Sequence, residues 1–139
     1  MKNAFLVAIL AFVSCGAFAQ ELNTLEKLTS LVTPGVYKGT FDNKKCEFTF
    51  VLTDDKALLT LKKGQLYARH EVSVNDEVMF KAHRGDFISH KIFKTDDITR
   101  HSTDTFRFFQ NGDTPYVVIE QIEYNNRDRY THKIECNLK

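Results

Sequence analysis

The sequence has no tryptophan, only two prolines and six glycines. It contains no linker, internal repeat or low-complexity stretch. It also lacks an excess of charge of either sign: 19 Lys and Arg stand against 18 Asp and Glu, scattered so that no basic run exceeds two residues. Scattered, balanced charge gives no electrostatic footprint for nucleic acid or an anionic membrane surface. Beyond Val13 no apolar run approaches the roughly 20 residues that a bilayer span requires. There is no Gly-x-Ser-x-Gly elbow and no phosphate-cradling glycine loop. His101 and Ser102 are adjacent, but neighbours on a strand point to opposite faces, so they form no nucleophile–base pair. The acidic pairs Asp54-Asp55 and Asp96-Asp97 lack the spaced series of oxygens that a calcium loop needs and read as polar turns. No catalytic residue, cofactor or metal site is expected from these patterns.

What is present begins with an export signal. Met1 to Asn3 is a short basic leader, Ala4 to Val13 is apolar throughout, and Ala17-Phe18-Ala19 places small residues where a signal peptidase reads them. Residues 1–19 are therefore expected to be a cleaved signal peptide, with Gln20 the first mature residue. A membrane anchor would need a longer run, and a lipoprotein signal ending at Cys15 would normally carry Leu where Phe12 stands. Losing Lys2 lowers the basic count from 19 to 18, equal to the 18 acids. The remaining stretch, 20–139, is of single-domain size, and after cleavage it is expected not to insert into a membrane. Cys46 and Cys136 remain as an even pair in an oxidising compartment and are expected to form one disulfide.

One segment reads as helix. From Asn23 to Val32, Leu25, Leu28 and Leu31/Val32 recur at helical spacing, Asn23 and Glu26 make a candidate capping box, and Pro34 and Gly35 close it. The period then switches to two. Candidate strands run over Val36–Phe41, Cys46–Thr53, Ala57–Lys62, Leu66–Val74, Val78–His83, Ile88–Ile92, Thr103–Gln110, Tyr116–Tyr124 and Tyr130–Leu138, separated by Gly, Asn and Asp clusters. Short strands joined by tight turns specify an antiparallel meander, since parallel pairing needs long crossovers. Eight or nine half-apolar strands are expected to close into a small barrel, the alternative being a two-sheet sandwich. A Cys46–Cys136 bond would draw the second and last strands together, as closure requires. The layout is similar to that of lipocalin-like barrels, with a short leading helix and Gly35-Val36-Tyr37 entering the first strand. Tyr37 stands where those proteins have tryptophan. The resemblance implies a curled antiparallel barrel and assigns no functional residue.

Five phenylalanines, Phe48, Phe50, Phe80, Phe106 and Phe108, are expected inside, either filling the core or lining a cavity for an apolar small molecule. Three histidines share parity with the apolar residues of their strands: His70, His90 with Ile88 and Ile92, and His132 with Ile134 and Cys136. All three are expected inside, with His70 opposite Phe80 and Phe80 opposite His90 if each loop takes about three residues. The preferred expectation is three core histidines, each held neutral by a hydrogen bond. The alternatives are a polar hook in a ligand cavity or a zinc-type site, which needs three ring nitrogens about 2 Å from one point. Candidate ligand-binding residues are therefore His70, Phe80, His90, Phe106, Phe108 and His132. Arg84-Gly85-Asp86 matches the tripeptide that integrins recognise, but a hairpin loop asks for Gly with Asp beside it. The functional expectation is a non-enzymatic secreted or periplasmic binding module holding a small apolar ligand in the barrel. The alternative is a module that binds a secreted or envelope protein, such as an inhibitor of a cell-wall enzyme. Enzyme activity is the least favoured class.

Overall fold

The structure is a computed structural model that describes residues 20–94 and 100–139. The expected signal peptide, Cys15 and the Asp96-Asp97 turn lie outside the described residues. Asn23 caps helix α1 (Thr24–Thr29): its side chain accepts from the Glu26 amide at 2.9 Å, and Glu26 returns the bond to the Asn23 amide at 2.8 Å. The helix is shorter than the periodicity predicts. Six residues make less than two turns, so its place is fixed by burial of Leu25 and Leu28 and by the Thr24 hydroxyl, which donates to the Asp76 carbonyl.

Nine strands follow, each within a few residues of its expected span: β1 (Gly35–Phe41), β2 (Lys44–Leu52), β3 (Lys56–Lys63), β4 (Leu66–Ser73), β5 (Val78–Lys81), β6 (Asp86–Lys94), β7 (His101–Asn111), β8 (Thr114–Tyr124) and β9 (Arg129–Leu138). They form one antiparallel sheet in the order β4-β3-β2-β1-β9-β8-β7-β6-β5. The β1–β2 hairpin turns on Asp42 and Asn43, both at positive φ (51° and 57°), as a two-residue primed turn demands. Asp and Asn tolerate that conformation better than other side chains.

The sheet consists of two meanders, β1–β4 and β5–β9. They join through a short ladder in which Gly39 faces Leu138 and Thr40 faces Asn137. A Cβ on Gly39 would lie 2.0 Å from the Asn137 carbonyl oxygen, so only glycine permits this approach. Cys46 and Cys136 are bonded beside the same joint, with an S–S distance of 2.02 Å. Such a bond belongs to an oxidising environment.

The sheet curls into a half-barrel around a hydrophobic core, and among the described residues there is one sheet rather than two. The expected closure is not reached: among the described residues no ladder joins β4 to β5, although they follow one another in sequence. The chain crosses this opening through residues 74–77.

One strand face, that of β6, is inverted relative to expectation. In β6 the buried residues are Phe87 and Ser89, and Ile88, His90 and Ile92 face outward. The β5–β6 connection takes four residues, with a 3-10 turn at Ala82–Arg84 and left-handed Gly85, so Lys81 pairs with Asp86. One residue of register exchanges the faces of a strand. Phe80 therefore faces Phe87, not His70 or His90. In β8 the continuous apolar run Val117–Ile119 hides the alternation. Pairing with Phe108 and Phe106 turns Val117 and Ile119 inward and leaves Val118, Ile122 and Tyr124 on the outer side.

Candidate functional site

The interior is built around Phe106. Its ring lies 5.9 Å from Phe48, 6.2 Å from Phe87 and 6.2 Å from the His70 imidazole. Phe48, Phe50, Phe87, Phe106 and Phe108 are all at most 1% exposed. Phe80, on the short strand β5, is half-buried and packs against this cluster. Aromatic rings at these separations are in mutual contact.

The three candidate histidines are not brought together. His70 is buried on the inner face of β4, with Nε2 2.8 Å from the Ser89 hydroxyl of β6. His90 is exposed on the outer side, where Nδ1 meets the Thr105 hydroxyl at 2.8 Å. His132 keeps its expected inward parity but reaches the β4 carbonyl of Tyr67 at 3.1 Å. Among the described residues no group of three or more His, Cys, Asp or Glu is placed to hold a metal.

The His70–Ser89 contact has the atoms of a nucleophile–base pair. Both residues are at most 2% exposed, however, so no substrate reaches the hydroxyl. The pair instead ties β4 to β6 across the opening. Burial, and then the nearby Lys91 ammonium, lower the His70 pKa from 6.5 to about 4. The sign follows directly. Between those values the unfolded chain takes a proton that the folded chain refuses. The contribution to stability is therefore complete above about pH 6.5 and is lost as pH falls toward 4. The expected size is on the order of 3 kcal/mol. Urea unfolding at pH 7 and pH 4.5 measures it, and His70→Gln is expected to remove most of the difference; an unchanged pH dependence in that variant would contradict the assignment.

The open edge of β4 is occupied by side chains from other elements. His132 Nε2 meets the Tyr67 carbonyl, Gln121 donates to the Arg69 carbonyl at 3.4 Å, and Asp76 accepts from the Ser73 amide at 2.7 Å. Asp76 in turn binds Lys91 at 2.8 Å. Partial burial opposes ionisation of Asp76, but the Lys91 and Ser73 hydrogen bonds outweigh it and hold the pKa low. Asp104, nearby on β7, is pushed upward by burial. Ser89, Lys91, Asp76 and Gln121 were not singled out by the sequence. The inward parity of Ser89 and Lys91 becomes visible only once the β6–β7 register is known, and that of Gln121 only through the β7–β8 ladder.

Arg84-Gly85-Asp86 is explained by its turn. Gly85 has φ +67°, and a Cβ there would lie 2.5 Å from Gln110 Cβ. Asp86 is already the first residue of β6.

Two grooves lie near the junction of β1 with β9. One, of about 610 Å³, includes Lys38, Lys45, Lys62 and Lys139 in its wall. The other, of about 480 Å³, is lined by Phe41, Phe109, Gln110, Tyr116 and Asn137. Comparison of the chain with known protein families, with curated proteins and with solved structures found no match.

Proposed function

We propose that this chain is a non-enzymatic binding module of an exported compartment, periplasmic or extracellular, and that it engages a secreted or envelope partner through its outer surface. The observation that carries this reading is the Phe106 cluster: five rings, each at most 1% exposed, fill the space that an interior ligand would need. The curled sheet, similar in layout to a lipocalin-like barrel, then serves as a rigid scaffold rather than a container. The burial of the Ser89 hydroxyl supports a module without hydrolytic chemistry. The signal-like leader and the Cys46–Cys136 bond support the compartment.

Native mass spectrometry of the protein purified from its own host tests the reading. A mass equal to the bare disulfide-bonded polypeptide is expected. An apolar small molecule that co-purifies in equal amount and leaves on unfolding would overturn surface binding and return the ligand to the interior.

A further inference from the structure

The lysines that are scattered along the sequence are gathered by the fold. On the outer face Lys38 pairs with Glu47 and Glu47 with Lys62, while Lys45 pairs with Thr40. Lys139 is held at the same place through its amide, which donates to the Lys38 carbonyl at 3.1 Å. Lys38, Lys45, Lys62 and Lys139 are all exposed, and none of the four has a carboxylate within ion-pair distance among the described residues. Glu47 is the one acidic side chain in this groove's wall.

One row of residues leads out of this basic groove across five strands. Thr40 faces Lys45 on one side and Asn137 on the other; Asn137 faces Tyr116, and Tyr116 faces Phe109. The row therefore runs from a cation through a hydroxyl and an amide to two aromatic rings. Four strand spacings make it about 19 Å long. The Tyr116 and Phe109 ring centroids are 6.4 Å apart with planes inclined by 21°, and Phe41 adds a third ring 6.2 Å from Tyr116. The platform is held in place. The Tyr116 hydroxyl donates to Glu135, whose carboxylate is also bound by Lys133 at 2.9 Å. The exposed Asn137 amide has no hydrogen-bond partner among the described residues, and Gln110 spends its NH2 on the Gly112 carbonyl while its oxygen stays available.

The geometry points to an anionic polysaccharide as the ligand of this surface. Sugar rings present flat C–H faces to aromatic side chains and hydroxyls to amides, and their carboxylate or sulfate groups would meet Lys38, Lys45, Lys62 and Lys139. A neutral apolar ligand would leave the lysines and amides unused, and a simple anion would leave the rings unused. The inference deepens the surface-binding reading and rests on it, since it names the partner's chemistry and its site.

Affinity electrophoresis and calorimetry with four probes test it: an oligogalacturonate, dextran sulfate, neutral dextran and a single-stranded oligothymidylate. Binding to one or both anionic polysaccharides is expected, weakening with added salt because the contacts release counterions. The first two probes separate carboxylate from sulfate recognition. Lys38→Glu/Lys62→Glu is expected to weaken that binding at least tenfold, and Tyr116→Ser likewise, whereas Tyr116→Phe keeps the ring and the affinity. The lysine variant is exposed on both strands and leaves the core intact, so it remains informative if Tyr116→Ser fails to fold. Equal binding to neutral dextran, tighter binding to the oligothymidylate, or indifference to the lysine variant would overturn the assignment. Absence of polysaccharide binding by protein whose native mass is that of the bare polypeptide would sink this inference and leave the surface-binding reading standing. A stoichiometric interior ligand would instead remove the reading itself.

Discussion

Phe106→Ala is expected to destabilise the protein by about 3–5 kcal/mol, the usual cost of deleting a buried phenyl ring. That is a large share of the roughly 5–15 kcal/mol by which a domain of this size is stable. The ring is fully buried, and its neighbours come from three separate strands: Phe48 on β2, His70 on β4 and Phe87 on β6. No single strand can shift to refill the space, because each is held by its own ladder. Urea unfolding at pH 7 measures the loss. A second reading follows from the same variant. His70 would lose the ring that keeps water from its imidazole, so its pKa is expected to rise from about 4 toward its ordinary value. A destabilisation under about 1 kcal/mol would mean that the half-barrel is loosely filled.

Removal of the disulfide, as Cys46→Ala/Cys136→Ala, is expected to cost about 2–5 kcal/mol. The bond links residues 90 apart in sequence, and chain entropy alone assigns a closed loop of that length about 4–5 kcal/mol. Its position sharpens the prediction. The two meanders share a ladder of only two residue pairs, and the bond lies beside it. The first region to loosen on reduction is therefore expected to be the β1–β9 joint. Hydrogen exchange should show faster exchange around Gly39 and Leu138 than in the long β7–β8 ladder. Two free thiols in the unreduced protein would contradict the bonded assignment.

Most of the architecture was legible because alternation with period two leaves a strong trace. The strands and the Asn23–Glu26 capping box followed from local pattern, and the cysteine pair from its even count and the export-like leader. Facing was harder. In β6 Ile88 and Ile92 made the outer side look apolar, while the side that is buried carries Phe87 and Ser89. Only the turn length distinguishes these readings, and the four-residue path through Gly85 gives no sign in composition. His90 was misplaced for that reason. His70 was placed correctly because Ala68 and Val72 flank it on a strand with a single apolar side. The outer row from Lys45 to Phe109 was illegible in principle, since its members come from five strands and meet only through the registers of four ladders. The short β1–β9 ladder was likewise out of reach, although the cysteines pointed to β9 and to β2 beside β1.

The gap between β4 and β5 has a consequence for how the chain is connected as a covalent graph. The peptide through residues 74–77 ties the two half-sheets on the open side, and the Cys46–Cys136 bond ties them on the other. Together they make a macrocycle that threads β3 through β8 completely and holds most of β2 and β9. A single cut in that crossing segment opens the macrocycle without releasing either half. The nicked molecule keeps every ladder of the sheet and still migrates as one chain until it is reduced. It is the reductant, rather than the protease, that would part the two halves.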